Sequence, residues 1–504
     1  MADSSTRPDP ESTPPDDIHL KQTLGPWTLW GLGVGYVISG EYFGWNLGLP
    51  EGGTFGLVIA FALVTVMYLT FTFSYVEMAC AIPRAGGVFV HGTRGLGLAA
   101  GFLAGVAQAI EYLFVPPAIA MAIGDYSAIW LPGIDARLTA VAAFLIFTGL
   151  NVWGVRQAAI FELVVSALAV GELLLFTGVT LPKFQWSQFA SNGWPHGAWG
   201  VVASLPFAIW FYLGIEGVAN AAEETRHPRR DVPIGFGSAL LTLVILALCV
   251  FVASVGVGGW ERIVYAPEFL ATDASGQIQI LEGARTSDKP LPLALGQIVS
   301  SAHPLYHLLV GIGLLGLIAS FNGMILAAGR AVFEMGREGF LPHALGQTHP
   351  RSRTPVNALL LNMGIGLVSI LFLNTSGLIT MSVLGAVTLY SLAMLSLLGL
   401  RRKEPDLDRP WKTPGYPVVP LIALVLALAS KFMTLVELQE AWLPAALIAG
   451  HGVSRLAATC LLATTGCTIT IGCSTVSASD TACSTDASSG SSKTSTITSG
   501  SSSG

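Results

Sequence analysis

Six glutamates stand inside otherwise apolar stretches of this sequence: Glu41, Glu77, Glu111, Glu162, Glu172 and Glu216. A carboxyl in such surroundings can pair with a cation, carry a proton, or be held neutral and hydrogen-bonded as part of the packing. Glu77 and Glu162 lie near the ends of their stretches, where solvation or a structural pair suits them. Glu111 and Glu172 lie deeper, and for them proton carriage and helix packing stand as equal alternatives. Glu41 and Glu216 differ in their neighbours. Glu41 sits in Gly31-Leu-Gly-Val-Gly-Tyr-Val-Ile-Ser-Gly-Glu-Tyr-Phe-Gly44, five glycines in fourteen residues. Each glycine inside a helix costs about 0.5–1 kcal/mol relative to alanine. Their density predicts an unwound segment that exposes backbone groups, with close helix packing by small residues as the alternative. A nucleotide loop is excluded, because no strand precedes the run and its spacing is wrong. Glu216 sits in Ser204-Leu-Pro-Phe-Ala-Ile-Trp-Phe-Tyr-Leu-Gly-Ile-Glu-Gly217, where Pro206, Gly214 and Gly217 interrupt a second apolar stretch in the same manner.

The elements that must hold these residues follow from composition. Of 504 residues, 52% are hydrophobic and 11% charged, and the mean hydropathy is +0.64. Soluble chains carry roughly 25% charge. The deficit excludes a water-soluble globule, and with a net charge of -6 it excludes a nucleic-acid partner. Apolar runs near 20 residues fall at about 24–49, 54–80, 97–123, 138–155, 157–181, 200–222, 234–258, 305–329, 356–374, 377–400 and 416–436, and a weaker twelfth begins near 441. The runs are continuous rather than alternating, so they are helices and not barrel strands. Seventeen Lys and Arg fall in one set of connecting segments and five in the other. The positive-inside rule then makes the first set, and the N-terminus, cytoplasmic; the expected setting of this multi-pass protein is the plasma membrane, the inner membrane of a bacterium.

Four parts are expected. Residues 1–22, rich in proline, form a disordered cytoplasmic leader; 23–400 form a ten-helix core; 401–463 carry helices 11 and 12. Residues 464–504 are a Ser/Thr-rich tail that cannot bury a core, native or non-native. The segment 259–300 is a long external loop without a domain of its own. Cys80 and Cys249 behave as small hydrophobes, and Cys460, Cys467, Cys473 and Cys483 fit no zinc spacing. His303 and His307, spaced i, i+4, could share a helical face, but no third ligand is evident, so no metal site is expected.

If the first ten spans are two five-helix halves, the interrupted spans 1 and 6 occupy corresponding positions. Such a pair points to a binding site near the bilayer midplane. Several motifs then resemble the amino acid–polyamine–organocation superfamily. Tyr75-Val-Glu-Met-Ala-Cys-Ala-Ile-Pro-Arg-Ala-Gly-Gly87 is similar to its second-span signature, and Trp210-Phe-Tyr-Leu-Gly-Ile-Glu216 to its sixth-span motif. Glu223-Glu-Thr-Arg-His-Pro-Arg-Arg-Asp-Val-Pro233 resembles the loop that follows. Arg337-Glu-Gly-Phe-Leu-Pro342 with His349-Pro-Arg-Ser-Arg-Thr-Pro-Val-Asn-Ala358 is the strongest match, and Arg409-Pro-Trp-Lys-Thr-Pro-Gly-Tyr-Pro417 completes the pattern. The resemblance covers about 20–440. It implies an all-α integral membrane protein of the leucine-transporter type, with about 12 helices, spans 1–5 and 6–10 as inverted repeats, and helices 1 and 6 broken.

Within the superfamily, Ile38-Ser-Gly-Glu-Tyr-Phe-Gly-Trp-Asn46 looks most like the ethanolamine permeases. Amino-acid members place small residues where their N–H groups hold a substrate carboxylate. Here the last small position is Glu41, which would repel a carboxylate and pair with an ammonium. The resemblance therefore implies secondary transport of a small cationic amine, with Glu41 as its partner. Ser39 and Gly40 would give hydroxyl and backbone contacts, and Trp210, with Tyr42, Phe207 or Tyr212, would close over the ammonium. A desolvated cation–aromatic contact is worth about 0.5–2 kcal/mol; the alternative for Trp210 is packing. Glu216, Glu111 and Glu172 are the gating or proton-coupling acids. No cofactor is implied beyond a coupling proton, and sodium coupling is disfavoured because no cluster of carboxylates and hydroxyls is apparent. A monomeric functional unit is the default expectation and a dimer the alternative. Competing readings are an amino-acid permease or exchanger, a channel or non-transporting receptor, and a membrane enzyme, for which no catalytic cluster is seen.

Overall fold

The computed structural model describes residues 24–436 except 85, 154–158, 274–277, 351 and 353. The expected leader, twelfth helix and Ser/Thr tail lie outside the described residues. Among those described, eight helices are long and apolar enough to cross a bilayer. They are Trp45–Ala81, Leu98–Ser127, Ala136–Trp153, Glu162–Lys183, Pro228–Gly258, Pro304–Arg337, Thr375–Lys403 and Val418–Val436. The shorter apolar helices Gly197–Trp210 and Val356–Phe372, and Pro26–Val37 at the start, fill the remaining expected positions. In chain order these are spans one to eleven. The chain is an all-α, multi-span membrane protein.

Helix ends follow local chemistry. Pro26, Pro228 and Pro304 start their helices, where a missing N–H is no loss. The side chain of Asn374 accepts from the Gly377 N–H at 2.9 Å and caps the tenth span. That span ends on Arg401, Arg402 and Lys403, cations that complement the negative helix end. The third span packs against the fourth, eighth and tenth, and the first against the fifth and seventh. Small residues permit this approach: a Cβ on Gly31 would stand 2.8 Å from the Leu163 backbone.

The face rich in Lys and Arg is tied across helices. Arg401 donates two hydrogen bonds to buried Glu77, at 2.7 and 2.8 Å. Thr413 adds its N–H and hydroxyl to the same carboxylate, at 2.8 and 2.7 Å. Glu77 therefore belongs to the structural pair that its place near a span end suggests. On the opposite face, the loop between the seventh and eighth spans departs from a purely helical reading. It holds an antiparallel ribbon, β1 Leu270–Thr272 with β2 Ile278–Ile280, and the short helix Pro290–Gly296.

Candidate functional site

The first span is helical over Pro26–Val37 and again for one turn over Ser39–Tyr42. The chain then becomes extended at Phe43 and turns at Gly44 with φ +91° before a 3₁₀ turn, Trp45–Gly48. The sixth span is helical to Trp210, passes through non-helical turns at 211–216, and resumes over Gly217–Asn220. Its break also has a glycine at φ +91°, Gly214. Both predicted interruptions are present, and one glycine in each takes the left-handed backbone that L residues avoid. The other glycines of the first span serve contact instead. A Cβ on Gly33 would meet Val218 and Ala239, at 2.7 and 2.8 Å, and one on Gly40 would run into the Trp210 carbonyl oxygen. Unwinding thus explains Gly44, and packing explains the glycines before it.

At these breaks Glu41 is wholly buried, and neither carboxylate oxygen has a hydrogen-bond partner. It lies within electrostatic reach of Tyr42, of Tyr212 and of Cys249 on the seventh span. Its carbonyl oxygen accepts from Trp45 Nε1 at 3.2 Å, and the Trp45 ring stacks on Phe211. Trp210 packs edge-on to Phe43, with ring centroids 5.4 Å apart. Its indole lies over Gly44 and beside Ile379, and its Nε1 is buried without a partner. Phe207 packs beside Gly48. The Tyr212 hydroxyl is 2.8 Å from Thr65 Oγ1 on the second span. Ser39 Oγ is 2.9 Å from Ser320 Oγ on the eighth span, and Ser320 Oγ is 2.8 Å from the Tyr36 carbonyl oxygen.

The remaining predicted acids form two separate groups. Glu216, at the sixth-span break, accepts from Tyr112 of the third span at 2.7 Å and from Tyr390 of the tenth at 2.9 Å. Tyr68 of the second span is 3.1 Å from Tyr390, oxygen to oxygen. Glu111 adjoins Glu216, but neither of its oxygens makes a hydrogen bond of good geometry. Glu172, on the fifth span, accepts from the Tyr42 hydroxyl at 2.7 Å. Tyr126 donates to the Tyr42 carbonyl oxygen at 3.2 Å. Tyr42 thus turns toward the fifth and eighth spans, with its ring beside Gly313 and Gly316, whereas Trp210 covers Gly44. The two aromatics do not share one wall.

Sequence reasoning missed Tyr68, Tyr112, Tyr126, Tyr390 and Ser320, since a tyrosine in an apolar helix reads as packing until its partner is known. It also missed an oxygen-rich contact on the fifth span. The buried Glu162 carboxylate, unpartnered, and Ser166 Oγ both crowd Gly35, and Ser166 donates to the Gly31 carbonyl at 2.8 Å. A carboxylate–hydroxyl–carbonyl set is the feature whose apparent lack argued against an ion. The glycine spacing, Gly31 and Gly35 at i, i+4, is the signal that could have pointed there. The two histidines engage different partners through Nδ1. His303 Nδ1 caps the Leu305 N–H at 3.1 Å, and His307 Nδ1 accepts from Trp130 at 3.2 Å.

Comparison with known proteins gives consistent matches. Residues 24–449 match the family model described as amino acid permease. An uncharacterized transporter of Rhizobium meliloti (strain 1021) is 29% identical over 444 residues, 85% of this chain and 90% of that protein. Two proteins of Bacillus subtilis (strain 168) match over 81% of this chain and 87% of their own length. They are the branched-chain amino acid permease BcaP, 28% identical, and the methylthioribose transporter, 26% identical. These relatives are membrane transporters and permeases rather than enzymes.

Proposed function

This chain belongs to the amino acid permease family, and from that premise we propose that it carries a small cationic amine, ethanolamine foremost, by alternating access around the breaks of its first and sixth spans. One observation carries the proposal: the Glu41 carboxylate is fully buried beside the first break and both its oxygens lack a partner. An isolated buried carboxylate is costly unless a cation or a proton meets it. An ammonium group supplies the charge and the N–H donors, whereas a substrate carboxylate would be repelled. Trp210 is the gate: its ring covers Gly44, so the substrate enters or leaves only when the ring moves. Ser39 and Gly40 lie on the same turn as Glu41 and serve the amine's second polar group. Tyr212 and Phe207 wall the site. Tyr42, whose hydroxyl is held by Glu172, reports substrate occupancy to the fifth span.

Proton coupling runs through the Glu111–Glu216 pair and its tyrosines, with Glu172 as the second acid. Each joins the first or sixth span to its surroundings, the place where a proton can bias the alternation. The functional unit is a monomer. The Lys/Arg-rich face and the N-terminus are cytoplasmic, by the asymmetry of seventeen against five.

A neutral amino acid is the second reading, favoured by the 28% identity to the branched-chain amino acid permease. Uptake of labelled ethanolamine by proteoliposomes, challenged with leucine and with an imposed pH gradient, separates the two. Saturable ethanolamine uptake with counterflow identifies an amine carrier. Leucine uptake without ethanolamine uptake sinks the Glu41 argument, and binding without uptake marks a receptor.

A further inference from the structure

The loop between the seventh and eighth spans is held at its start by Trp260 and Glu261, which bond to Asn192, and again at the short segment Ser287–Lys289, where the fastening reaches the first-span break. The Gly44 N–H donates to Asn46 Oδ1 at 3.0 Å, and Asn46 Nδ2 donates to the Ser287 carbonyl oxygen at 2.9 Å. Two hydrogen bonds therefore separate the loop from the glycine on which the first span turns. From the third span, Asp125 Oδ2 accepts from the Asp288 N–H at 2.9 Å and from Ser287 Oγ at 3.3 Å. From the tenth span, the Thr375 hydroxyl donates to the Asp288 carboxylate. Asp288 is only 7% exposed. Immediately after it, the helix Pro290–Gly296 buries Leu291 and Leu295. The Ser287–Asp288 pair thus ties the loop to the ends of three spans, with the buried Asp288 carboxylate bound to the tenth and a second acid, Asp125, in front of it.

We propose that Asp288 is a proton-operated latch: protonated, it seats the 287–296 segment on the first, third and tenth spans; ionised, it releases that segment and loosens the first-span break. The groups facing Asp288 are Asp125 on the third span, Thr375 at the positive end of the tenth, and Lys289 on its own loop. Burial and the Asp125 charge push its carboxyl up from 3.8 to about 8, and Thr375 and Lys289 pull more weakly the other way. The sign follows. Between 3.8 and about 8 the seated form holds a proton that the released form has lost. Release therefore grows with pH, at most about tenfold per unit. Above about 8 both forms are ionised and the growth stops.

The test does not depend on the substrate, so its failure is distinct from failure of the amine reading. Leu291→Cys is placed in the full chain, in nanodiscs, with the native cysteines replaced by alanine. Its labelling by a hydrophilic maleimide is divided by that of Ser301→Cys at an exposed site, which removes the intrinsic pH dependence of the thiol. The ratio should climb with pH and level off near 8. Asp288→Asn should give a low, flat ratio, and Thr375→Val should raise labelling at low pH while keeping the slope. Asp125→Asn, which removes the repulsion and keeps Asp288, should shift the plateau to lower pH, and it stands in if Asp288→Asn does not fold. A flat ratio in the parent, an Asp288→Asn profile that still climbs, Thr375→Val labelling no faster than the parent, or an unmoved Asp125→Asn plateau overturns the latch.

Discussion

Glu41 concentrates the chemistry of this chain at one side chain, and its lack of partners makes the consequence of removing it unusual. Glu41→Gln removes a buried carboxyl that no described protein group pairs with, so the unliganded protein should melt at the same temperature or higher. The amine, however, loses its counter-charge. Leaving one member of a buried ion pair alone costs about 3–5 kcal/mol, which at about 1.4 kcal/mol per decade is at least a hundredfold in affinity. Substrate-induced stabilisation, measured as the shift in Tm on adding ethanolamine, should therefore vanish in a variant that is otherwise sound. A shift retained at similar concentrations would move the ammonium partner elsewhere. Glu216 behaves oppositely, because Tyr112 and Tyr390 both donate to it. Tyr112→Phe removes one donor from a buried acceptor, which costs about 1–3 kcal/mol. It should lower the Tm of the unliganded protein and alter the response of uptake to a pH gradient.

The two broken helices invite a graded comparison. Gly44 and Gly214 share φ +91°, and forcing an L residue into that region costs roughly 1–2 kcal/mol. Their surroundings differ. A Cβ on Gly44 would run into the Trp210 indole, whereas one on Gly214 would touch only Met324, at an ordinary 3.5 Å. Gly44→Ala should therefore abolish uptake while Gly214→Ala retains a measurable rate, with both proteins inserted and monodisperse. Equal loss would show that backbone strain, not the Trp210 contact, sets the effect. A second contrast lies on the Lys/Arg-rich face. Glu77 is 1% exposed and bound by Arg401 and Arg409, and Glu77→Gln strands two cations, so a fall in Tm of several degrees is expected. Arg229 and Asp408 meet with side chains 70% exposed, a setting in which a pair contributes about 0–1 kcal/mol. Asp408→Asn should leave Tm unchanged.

At the scale of the molecule, the spans were readable from sequence because the bilayer demands long continuous apolar runs, and such runs have few alternative interpretations. The breaks were readable because proline and glycine act on the local backbone. The partners of the acids were not. Tyr112, Tyr390 and Glu216 stand on three different spans, and no local pattern states which helices will adjoin. Nor does composition reveal that the loop carrying Asp288 is seated by Asn46 and Thr375. What composition does leave is a chain that must move its cargo across an electric field. A cationic amine carried alone should respond to voltage by about 2.3 kcal/mol per charge per 100 mV, close to fiftyfold in accumulation. If one proton accompanies each amine, two charges cross and the exponent doubles. Proteoliposomes given a potassium diffusion potential, negative inside, should therefore accumulate ethanolamine exponentially with the imposed voltage even without a pH gradient. The slope of log accumulation against voltage counts the charges, and a pH gradient added at fixed voltage should change the accumulation itself only if the acids at Glu216, Glu111 or Glu172 carry a proton. A zero slope would mean neutral cargo or electroneutral exchange, and the amine uniport and amine–proton symport would both fall with it.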